Sequence, residues 1–417
     1  MPNIAPRLRS CPLTLFPFQV VLPLVALLAV ACSGDREDVA TDAGLGEQVG
    51  VDAATEDASR VDASRVDASR VDASRVDASR VDASRVDASR VDASRADASM
   101  ADASAHDGGD GDAGFLTGDT STFDEIDAGG SNPGALDSFF FAPSRMPNRP
   151  RPLVVALHGC TQSAEDYHEG AGWRDVAARD KFWVLYPGQS RWNNANLCFN
   201  WFSVSDSTRG EGEVASIAEM VDWARDTYPV DDTRIIVTGL SAGAFMAVAM
   251  AATYPDVFSG AVIHAGGPYR CASNLLEGLT CMSGWEASPS EWLRVLIEDN
   301  GFIEPPGFVW PRLLVWHGLD DDVVAPIEAS ELVEQWTAAH GVDAVEDAAQ
   351  QVARTTLRHE YRDATGHAVV VTYLTEGMGH AVQVAPDRGC GLETSQYFAN
   401  VGVCAAEEAS DFFELGR

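Results

Sequence analysis

A serine in a glycine-flanked turn is the residue whose setting most clearly predicts chemistry in this sequence. Ser241 lies at the centre of the run Gly239–Gly243, which reads Gly-Leu-Ser-Ala-Gly and follows the β-branched run Arg234–Thr238. A strand before this turn and a small-residue helix after it would hold the hydroxyl above a sheet, at a helix N-terminus that favours negative charge. The flanking positions must be glycine because a Cβ would clash with neighbouring backbone. We therefore predict that Ser241 is a nucleophile rather than a helix-capping serine.

A nucleophilic serine needs a base and an acid that orients the base, and after such a turn the chain order is Ser, acid, His. His380 lies in a Gly-Met-Gly-His-Ala loop beyond the last predicted strand, where a catalytic histidine belongs. His264 and His317 fall in or at the end of apolar strands, and we expect them to be packed instead. For the acid, the loop after Trp316 contains three consecutive aspartates, and spacing alone leaves the choice open among Asp320, Asp321 and Asp322.

The elements that must position these residues have the pattern of an α/β domain with a mostly parallel sheet. Short β-branched or aromatic runs alternate with longer amphipathic ones, and several strands end in a Gly or Pro turn. In such sheets the site lies at the carboxyl ends of the strands. We predict strands at Ser138–Phe141, Leu153–Leu157, Phe182–Tyr186, Arg234–Thr238, Ala261–His264, Arg312–Trp316 and Ala368–Leu374, and helices near Glu213–Asp226, Ala242–Thr253 and Ile327–His340.

Residues 1–31 have the features of an export signal. Two arginines precede an apolar run that ends at Ala31, and Cys32 follows. Leu28–Cys32 resembles a bacterial lipobox, whose cysteine is lipidated and becomes the mature N-terminus. The alternative is an ordinary signal peptide that is cleaved nearby. A permanent transmembrane helix would need ~20 uninterrupted apolar residues.

Residues 32–114 are predicted to be a disordered acidic linker. The unit Asp-Ala-Ser-Arg recurs every five residues in eight copies from Asp57 to Arg95, a period that gives neither a helix nor a strand an apolar face. No aromatic residue lies between Cys32 and Phe115 to offset the entropy of ordering. The linker has 20 acidic and 9 basic residues, a net charge of −11. Residues 115–417 are then the single folded domain.

The acidity of the chain excludes some classes of partner. The 417 residues include 63 Asp and Glu against 29 Lys and Arg, a net charge of −34, of which the predicted domain carries −25. Binding to nucleic acid or to anionic lipid would need a basic face. We expect no nucleic-acid partner, membrane attachment only through a lipid on Cys32, and a monomer.

The domain resembles the polyhydroxybutyrate-depolymerase-like esterases, an α/β-hydrolase family related to feruloyl and acetylxylan esterases. The resemblance implies the α/β-hydrolase fold and selects Asp321 as the acid. It implies an oxyanion hole made by the backbone amides of Cys160 and Ala242. It also suggests Trp201 and Phe202 as walls of a substrate pocket, although both could equally be core residues. The matching stretches are Leu157–Gln162, Tyr186–Pro187, Cys198–Phe202, Arg209–Glu213, Thr238–Gly243, Tyr254–Phe258, Gly377–Ala381 and Tyr397–Cys404.

The cysteine count supports export. Six cysteines remain beyond Cys11 and Cys32, and an even number in an exported chain implies disulfides. Close spacing favours Cys271–Cys281 and Cys390–Cys404, and the family pattern favours Cys160–Cys198. No cysteine or histidine pairs have zinc spacing, and the aspartate run lacks the features of a calcium loop, so we predict no metal and no cofactor.

Together these features predict an exported serine carboxylesterase, either a lipoprotein of the cell surface or outer membrane or a secreted extracellular protein. The substrates would be hydroxybutyrate or other polyhydroxyalkanoate oligomers, or short-chain esters. Because the sequence ends directly after the family's C-terminal stretch, we expect no separate polymer-binding domain. The alternatives are a feruloyl or acetylxylan esterase acting on plant polysaccharide, and a non-catalytic surface binding protein on a hydrolase fold.

Overall fold

A mixed sheet of ten strands lies at the centre of the protein, in a computed structural model that describes residues 115–417. The strand order is β1-β2-β4-β3-β5-β6-β7-β10-β9-β8. The six strands from β4 to β10 in this order run parallel, and the outer pairs are antiparallel. The strands are β1 (Thr122–Glu125), β2 (Asp137–Ala142), β3 (Arg151–Leu157), β4 (Trp183–Gly188), β5 (Val230–Leu240), β6 (Gly260–His264), β7 (Arg312–Gly318), β8 (Ala348–Ala353), β9 (Thr356–Arg362) and β10 (Ala368–Thr375), with a separate parallel pair β11 (Val382–Val384) and β12 (Phe398–Asn400).

Helices cover both faces of the sheet and create two apolar cores. The cause is visible in β3, where Leu153, Val155 and Leu157 enter one core and Val154 and Ala156 enter the other. The first core is packed by α3, α4, α5, α6 and α7, and the second by α1, α2 and α8. The helices are α1 (Ala164–Gly170), α2 (Trp173–Asp180), α3 (Gly212–Thr227), α4 (Ala242–Thr253), α5 (Leu275–Met282), α6 (Pro289–Glu298), α7 (Ile327–His340) and α8 (Ala405–Phe412).

The predicted strands and helices are all present, and the bounds of α4 and α7 agree with the prediction residue for residue. The pattern did not reveal the shorter or more polar elements: β1, β8, β9, β11, β12, α1, α2, α5, α6 and α8. Edge strand β8 shows why, since none of the residues in its Ala-Ala-Gln-Gln-Val-Ala sequence is fully buried and the sequence has little apolar alternation. The fold class, α/β with a mostly parallel sheet, is confirmed.

Neighbouring strands bring the predicted site to one end of the sheet. Leu240 at the end of β5 pairs with His264 of β6, and His264 pairs with Trp316 of β7. Thr375 at the end of β10 pairs with Gly318 at the end of β7. The loops that leave β5, β7 and β10 therefore start side by side.

Several predictions fall outside the described residues: the signal at 1–31, lipidation of Cys32 and the linker at 32–114. Within residues 115–417 no helix has the length and apolar character required to cross a bilayer.

Candidate active site

Ser241 occupies a strained turn between β5 and α4. Its φ and ψ are 56° and −122°, a left-handed conformation that is costly for a residue with a side chain. Its N–H donates to the carbonyl of His264 at 2.9 Å, which fixes the turn against the end of β6. A Cβ on Gly239 would lie 2.3 Å from the backbone of Gly243, and a Cβ on Gly243 would lie 2.4 Å from the carbonyl of His158. The two glycines are thus required by close backbone approach, as the sequence predicts.

His380 and Asp321 form a hydrogen-bonded pair. His380 Nδ1 donates to Asp321 Oδ2 at 2.8 Å, and the Asp321 side chain is fully buried. Asp321 Oδ1 accepts the N–H groups of Val323 and Val324, each at 2.9 Å. Asp320 and Asp322 are both exposed. Among the three consecutive aspartates, Asp321 is therefore the one that the structure places against His380.

The electrostatics of this pair favour an ionised carboxylate. Burial by itself would raise the pKa of Asp321, but the hydrogen bond and charge of His380 and the two amide donors outweigh it, so that the pKa lies below its ordinary value of 3.8. A carboxylate on Nδ1 keeps the proton there and leaves Nε2 of His380 free to accept one. This is the tautomer that a general base requires.

Contacts between loops connect the serine turn to the histidine loop. His264, whose carbonyl holds Ser241, has its Nδ1 3.3 Å from Oε1 of Gln383, three residues after His380. Asp320 N–H donates to the carbonyl of Met378 at 3.0 Å, so the aspartate loop also touches the histidine loop. Among residues 115–417 no hydrogen bond joins Ser241 Oγ to His380. Such contacts often tighten only when substrate is bound.

Two backbone amides next to Ser241 have no acceptor. Within residues 115–417 neither Ala242 N–H, at the start of α4, nor Cys160 N–H makes a hydrogen bond. By contrast, the Gly159 N–H donates to Gln162 Oε1 at 2.8 Å and the Thr161 N–H donates to Asn196 O at 2.7 Å. The contact of Gly243 with the carbonyl of His158 places the Cys160 loop beside the serine turn. Two amides without a hydrogen bond in residues 115–417 therefore belong to the two segments that meet at the serine turn, as an oxyanion site would need.

His158 and His317 are buried and hydrogen-bond to the backbone of neighbouring loops. Burial lowers the pKa of His158 to about 4, so the ring is neutral. Its Nδ1 donates to Gly159 O at 2.8 Å, and its Nε2 accepts the Gln189 N–H at 3.0 Å. His317 Nε2 donates to Val324 O at 3.0 Å, a contact within the loop that contains Asp321.

Trp201 and Phe202 occupy different environments. The Trp201 ring is 9% exposed and stacks on Phe245 of α4 with centroids 3.9 Å apart. Phe202 packs edge-on against Trp201 and is half-buried beside Gly278 of α5. Trp201 is therefore mainly a core residue that supports α4, and Phe202 reaches the surface between Trp201 and α5.

The structure contains the three predicted disulfides, Cys160–Cys198, Cys271–Cys281 and Cys390–Cys404. The first joins the loop of the free Cys160 amide to the segment that leads to Trp201. The second closes the chain around the start of α5. The third holds the start of α8 beside Gly172.

Sequence reasoning did not find the polar network behind the Cys160 loop, nor the apolar surface on and next to α5. The network contains Gln189, Asn193, Asn200 and Glu213, and the signal that could have indicated it is that Asn200 and Glu213 lie within two of the stretches that match the family. A cleft of about 710 Å³ between α6 and the segment Val204–Thr208 was not predicted either, and Ser241 does not line it.

The sheet order, the strand–serine–helix turn and the loops at the strand ends define the protein as an α/β hydrolase. A family model described as esterase PHB depolymerase matches residues 138–360, a range that includes Ser241 and Asp321 and ends before His380. The chain belongs to the esterase PHB depolymerase family, and it is a carboxylic ester hydrolase.

Individual relatives are consistent with this membership. The chain is 45% identical over 292 residues to the poly(3-hydroxyalkanoate) depolymerase C of Paucimonas lemoignei. The match covers 69% of this chain and 68% of the relative. It is 33% identical over 277 residues to an acetylxylan esterase of Coprinopsis cinerea, covering 64% of this chain and 71% of that protein. Its fold resembles the solved acetyl xylan esterase from Aspergillus awamori, with a TM-score of 0.58, 22% identity, and coverage of 70% of this chain and 99% of the other.

Proposed function

We propose that the protein is an exported serine carboxylesterase whose catalytic groups are Ser241, His380 and Asp321. The observation that carries this proposal is the buried hydrogen bond of His380 to Asp321, at the same end of the sheet as the strained Ser241 and the amides of Cys160 and Ala242. His380, oriented by Asp321, takes the proton of Ser241 as the hydroxyl oxygen attacks an ester carbonyl. The Cys160 and Ala242 amides stabilise the oxyanion.

The rest of the reaction follows from the same groups. The protonated His380 gives its proton to the departing alkoxide, and an acyl-enzyme ester remains on Ser241. Water then loses a proton to His380 as it attacks this ester, and the acid leaves while the serine regains its proton. No step requires a group beyond these side chains, the amides and water.

We propose polyhydroxyalkanoate oligomers or short-chain esters as the substrates. The relative named as a poly(3-hydroxyalkanoate) depolymerase has higher identity to this chain than the acetylxylan esterase does. Exposed apolar residues on α5 support the same choice of substrate. Leu275, Leu276 and Leu279 of α5 are each more than half exposed, and the Ala325 N–H, four residues after Asp321, donates to Met282 O at the end of α5. An apolar surface beside the site fits the aliphatic chain of a polyester better than a sugar.

The second candidate is a feruloyl or acetylxylan esterase, because relatives with these names match more than 60% of the chain. Release of ferulate or acetate from polysaccharide would then exceed hydrolysis of hydroxyalkanoate oligomers.

We propose export on the basis of the cysteines. All six in residues 115–417 are paired, and disulfides form and persist in oxidising compartments. Attachment through a lipid on Cys32 would be revealed by labelling with a fatty-acid probe that is lost in Cys32→Ala.

The experiment that tests the proposed function measures Ser241→Ala on a substrate panel. The wild type should hydrolyse hydroxybutyrate trimer with higher kcat/KM than methyl ferulate or acetylated xylose. Ser241→Ala should lower kcat by at least about 10⁴-fold on every ester, because no nucleophile remains. A fluorophosphonate should label the wild type and not the variant.

Ser290→Ala is the matched control, since Ser290 is an exposed serine on α6, and its activity should equal that of the wild type. Retention of turnover and labelling in Ser241→Ala would reject the nucleophile. A preference for methyl ferulate or acetylated xylose would transfer the proposal to the second candidate.

A further inference from the structure

A buried carboxylate lies behind the Cys160 loop and takes no direct part in the proposed reaction. Glu213, in the first turn of α3, is inaccessible to solvent. Its Oε1 accepts Gln189 Nε2 at 2.7 Å, Asn200 Nδ2 at 2.7 Å and Asn193 Nδ2 at 2.9 Å. Its Oε2 accepts the Asn200 backbone N–H at 2.7 Å. The Glu213 side chain thus accepts hydrogen bonds from three residues of the segment 189–200.

Within residues 115–417, Glu213 accepts hydrogen bonds from N–H groups but forms no ion pair with a basic side chain. Among the ion pairs of residues 115–417 none includes Glu213, and the nearby charge of Asp206 has the same sign. Burial raises the pKa of Glu213 to about 8, against the opposing hydrogen bonds of Asn200 and Gln189. All four hydrogen-bonding partners of Glu213 are N–H groups, and their hydrogen bonds favour the ionised carboxylate against the effect of burial. Because an unsatisfied buried carboxylate would be costly, Glu213 and the amides around it hold one another in place.

Two chains of contacts lead from Glu213 to the Cys160 amide. In the first, Gln189 is held by Glu213 and donates its backbone N–H to Nε2 of His158, which in turn donates from Nδ1 to Gly159 O. In the second, Gln189 Nε2 also donates to Cys198 O at 3.0 Å, and Cys198 is bonded to Cys160. Both chains end at residues adjoining or forming the Cys160 peptide.

We infer that Glu213 is a positioning residue for the oxyanion site, and that it acts by fixing the Cys160 N–H through Gln189, His158 and Cys198. This inference rests on the proposed function. An oxyanion donor acts mainly in the transition state, and a shift of about 1 Å in a catalytic group can cost about 100-fold in rate. Loss of Glu213 should therefore lower kcat much more than it raises KM.

The test replaces Glu213 by its neutral isostere in the full chain. Glu213→Gln presents an NH₂ group to a site built only from donors, and it should lower kcat for p-nitrophenyl butyrate about 10- to 100-fold while KM changes less than about threefold. A trifluoromethyl ketone inhibitor provides the second readout. Ser241 Oγ adds to its carbonyl carbon, the serine proton passes to His380, and the resulting alkoxide lies against the two amides. Its affinity should fall in proportion to kcat/KM.

Glu219→Gln is the matched control. Glu219 is on the same helix and also accepts two donors, Ser131 Oγ and the Asn132 N–H, but it lies at the surface. Its kcat and its affinity for the ketone should be unchanged. If Glu213→Gln does not fold, Gln189→Ala removes the amide that joins Glu213 to Cys198, and it should lower kcat and ketone affinity together.

Two outcomes overturn the inference. One is a Glu213→Gln variant that keeps its kcat and ketone affinity, whether or not it unfolds more easily. The other, where Glu213→Gln does not fold, is a Gln189→Ala variant with unchanged kcat and ketone affinity. Failure of the proposed function is separable, because it would appear as retained turnover in Ser241→Ala whatever Glu213→Gln does.

Discussion

At the scale of single residues, the site depends on which of three adjacent carboxylates is buried. Asp321 is buried and hydrogen-bonded to His380 and to two backbone amides, whereas Asp320 and Asp322 are exposed to solvent. A carboxylate with several donors is favoured in its ionised form. The folded protein therefore stabilises the ionised form of Asp321 more than the unfolded chain does.

This difference predicts a pH-dependent effect of Asp321→Asn on stability. Because the pKa of folded Asp321 lies below 3.8, the anion stabilises the protein above pH 3.8, and that contribution is lost as pH falls through the folded pKa. The free energy of unfolding in urea should differ most between wild type and Asp321→Asn near pH 7 and least near pH 2. The variant should also lose about 10⁴-fold in kcat.

Asp320→Asn is the control for that series, since the exposed side chain should affect neither stability nor kcat. A stability gap between wild type and Asp321→Asn that stays constant from pH 7 to pH 2 would contradict the role of the anion.

At the scale of elements, catalytic geometry depends on how closely α4 approaches β3. Gly243 in the first turn of α4 touches the carbonyls of Leu157 and His158 at the end of β3. This approach brings the loop that contains Cys160 close to the turn that contains Ser241 and Ala242. The small residue in the helix is thus needed for the contact between the elements, beyond its role in the turn.

Gly243→Ala should therefore damage both stability and catalysis. The added Cβ would lie 2.4 Å from His158 O and 2.5 Å from Leu157 O, so the backbone of α4 or of the loop must move. We expect a loss of about 1–3 kcal/mol in the free energy of unfolding, the usual cost of overpacking, and a fall in kcat with little change in KM.

Gly188→Ala is the matched control, because its Cβ would meet only ordinary contacts, the nearest being Phe139 Cε2 at 3.4 Å. It should change stability by less than about 1 kcal/mol and leave kcat unchanged. Equal effects of the two substitutions would show that close approach of α4 is not the cause.

At the scale of the whole molecule, acidity belongs mainly to the enzyme domain. Residues 115–417 carry −25 of the net charge of −34, and the residues before them carry the remainder. Such a surface creates a negative potential that reaches about a Debye length into solution. Neutral esters are unaffected by this potential, while anionic esters are repelled.

A comparison of an anionic and a neutral ester should detect the effect of this negative surface potential on catalysis. For an ester that bears a free carboxylate, kcat/KM should increase as ionic strength rises from about 0.01 M to about 0.5 M, because screening shortens the Debye length from about 30 Å to a few Å. For its neutral methyl-ester analogue, kcat/KM should stay nearly constant. A ratio of the two values that does not vary with salt would show that the surface charge leaves the site unaffected.

Features that depend on local chemistry are recognisable in the amino-acid sequence. The Ser241 turn is recognisable because tight backbone packing allows only glycine at its flanks, and α4 and α7 because their residues form helices over long, uninterrupted runs. The histidine loop is recognisable by its position after the last strand. Resemblance to a family added the Cys160–Cys198 pairing and the choice of Asp321.

Features that depend on contacts between distant segments become visible only in the folded structure. Spacing left three aspartates equivalent, and the contact of the β7 loop with the β10 loop distinguishes them. Trp201 could have been pocket or core, and its stacking on Phe245 of α4 places it mainly in the core. Glu213 lies in a stretch that matches the family, but its contacts were not apparent because its partners lie 13 to 24 residues away in sequence. Burial brings these groups together, and burial is a property of the folded chain that no single segment encodes.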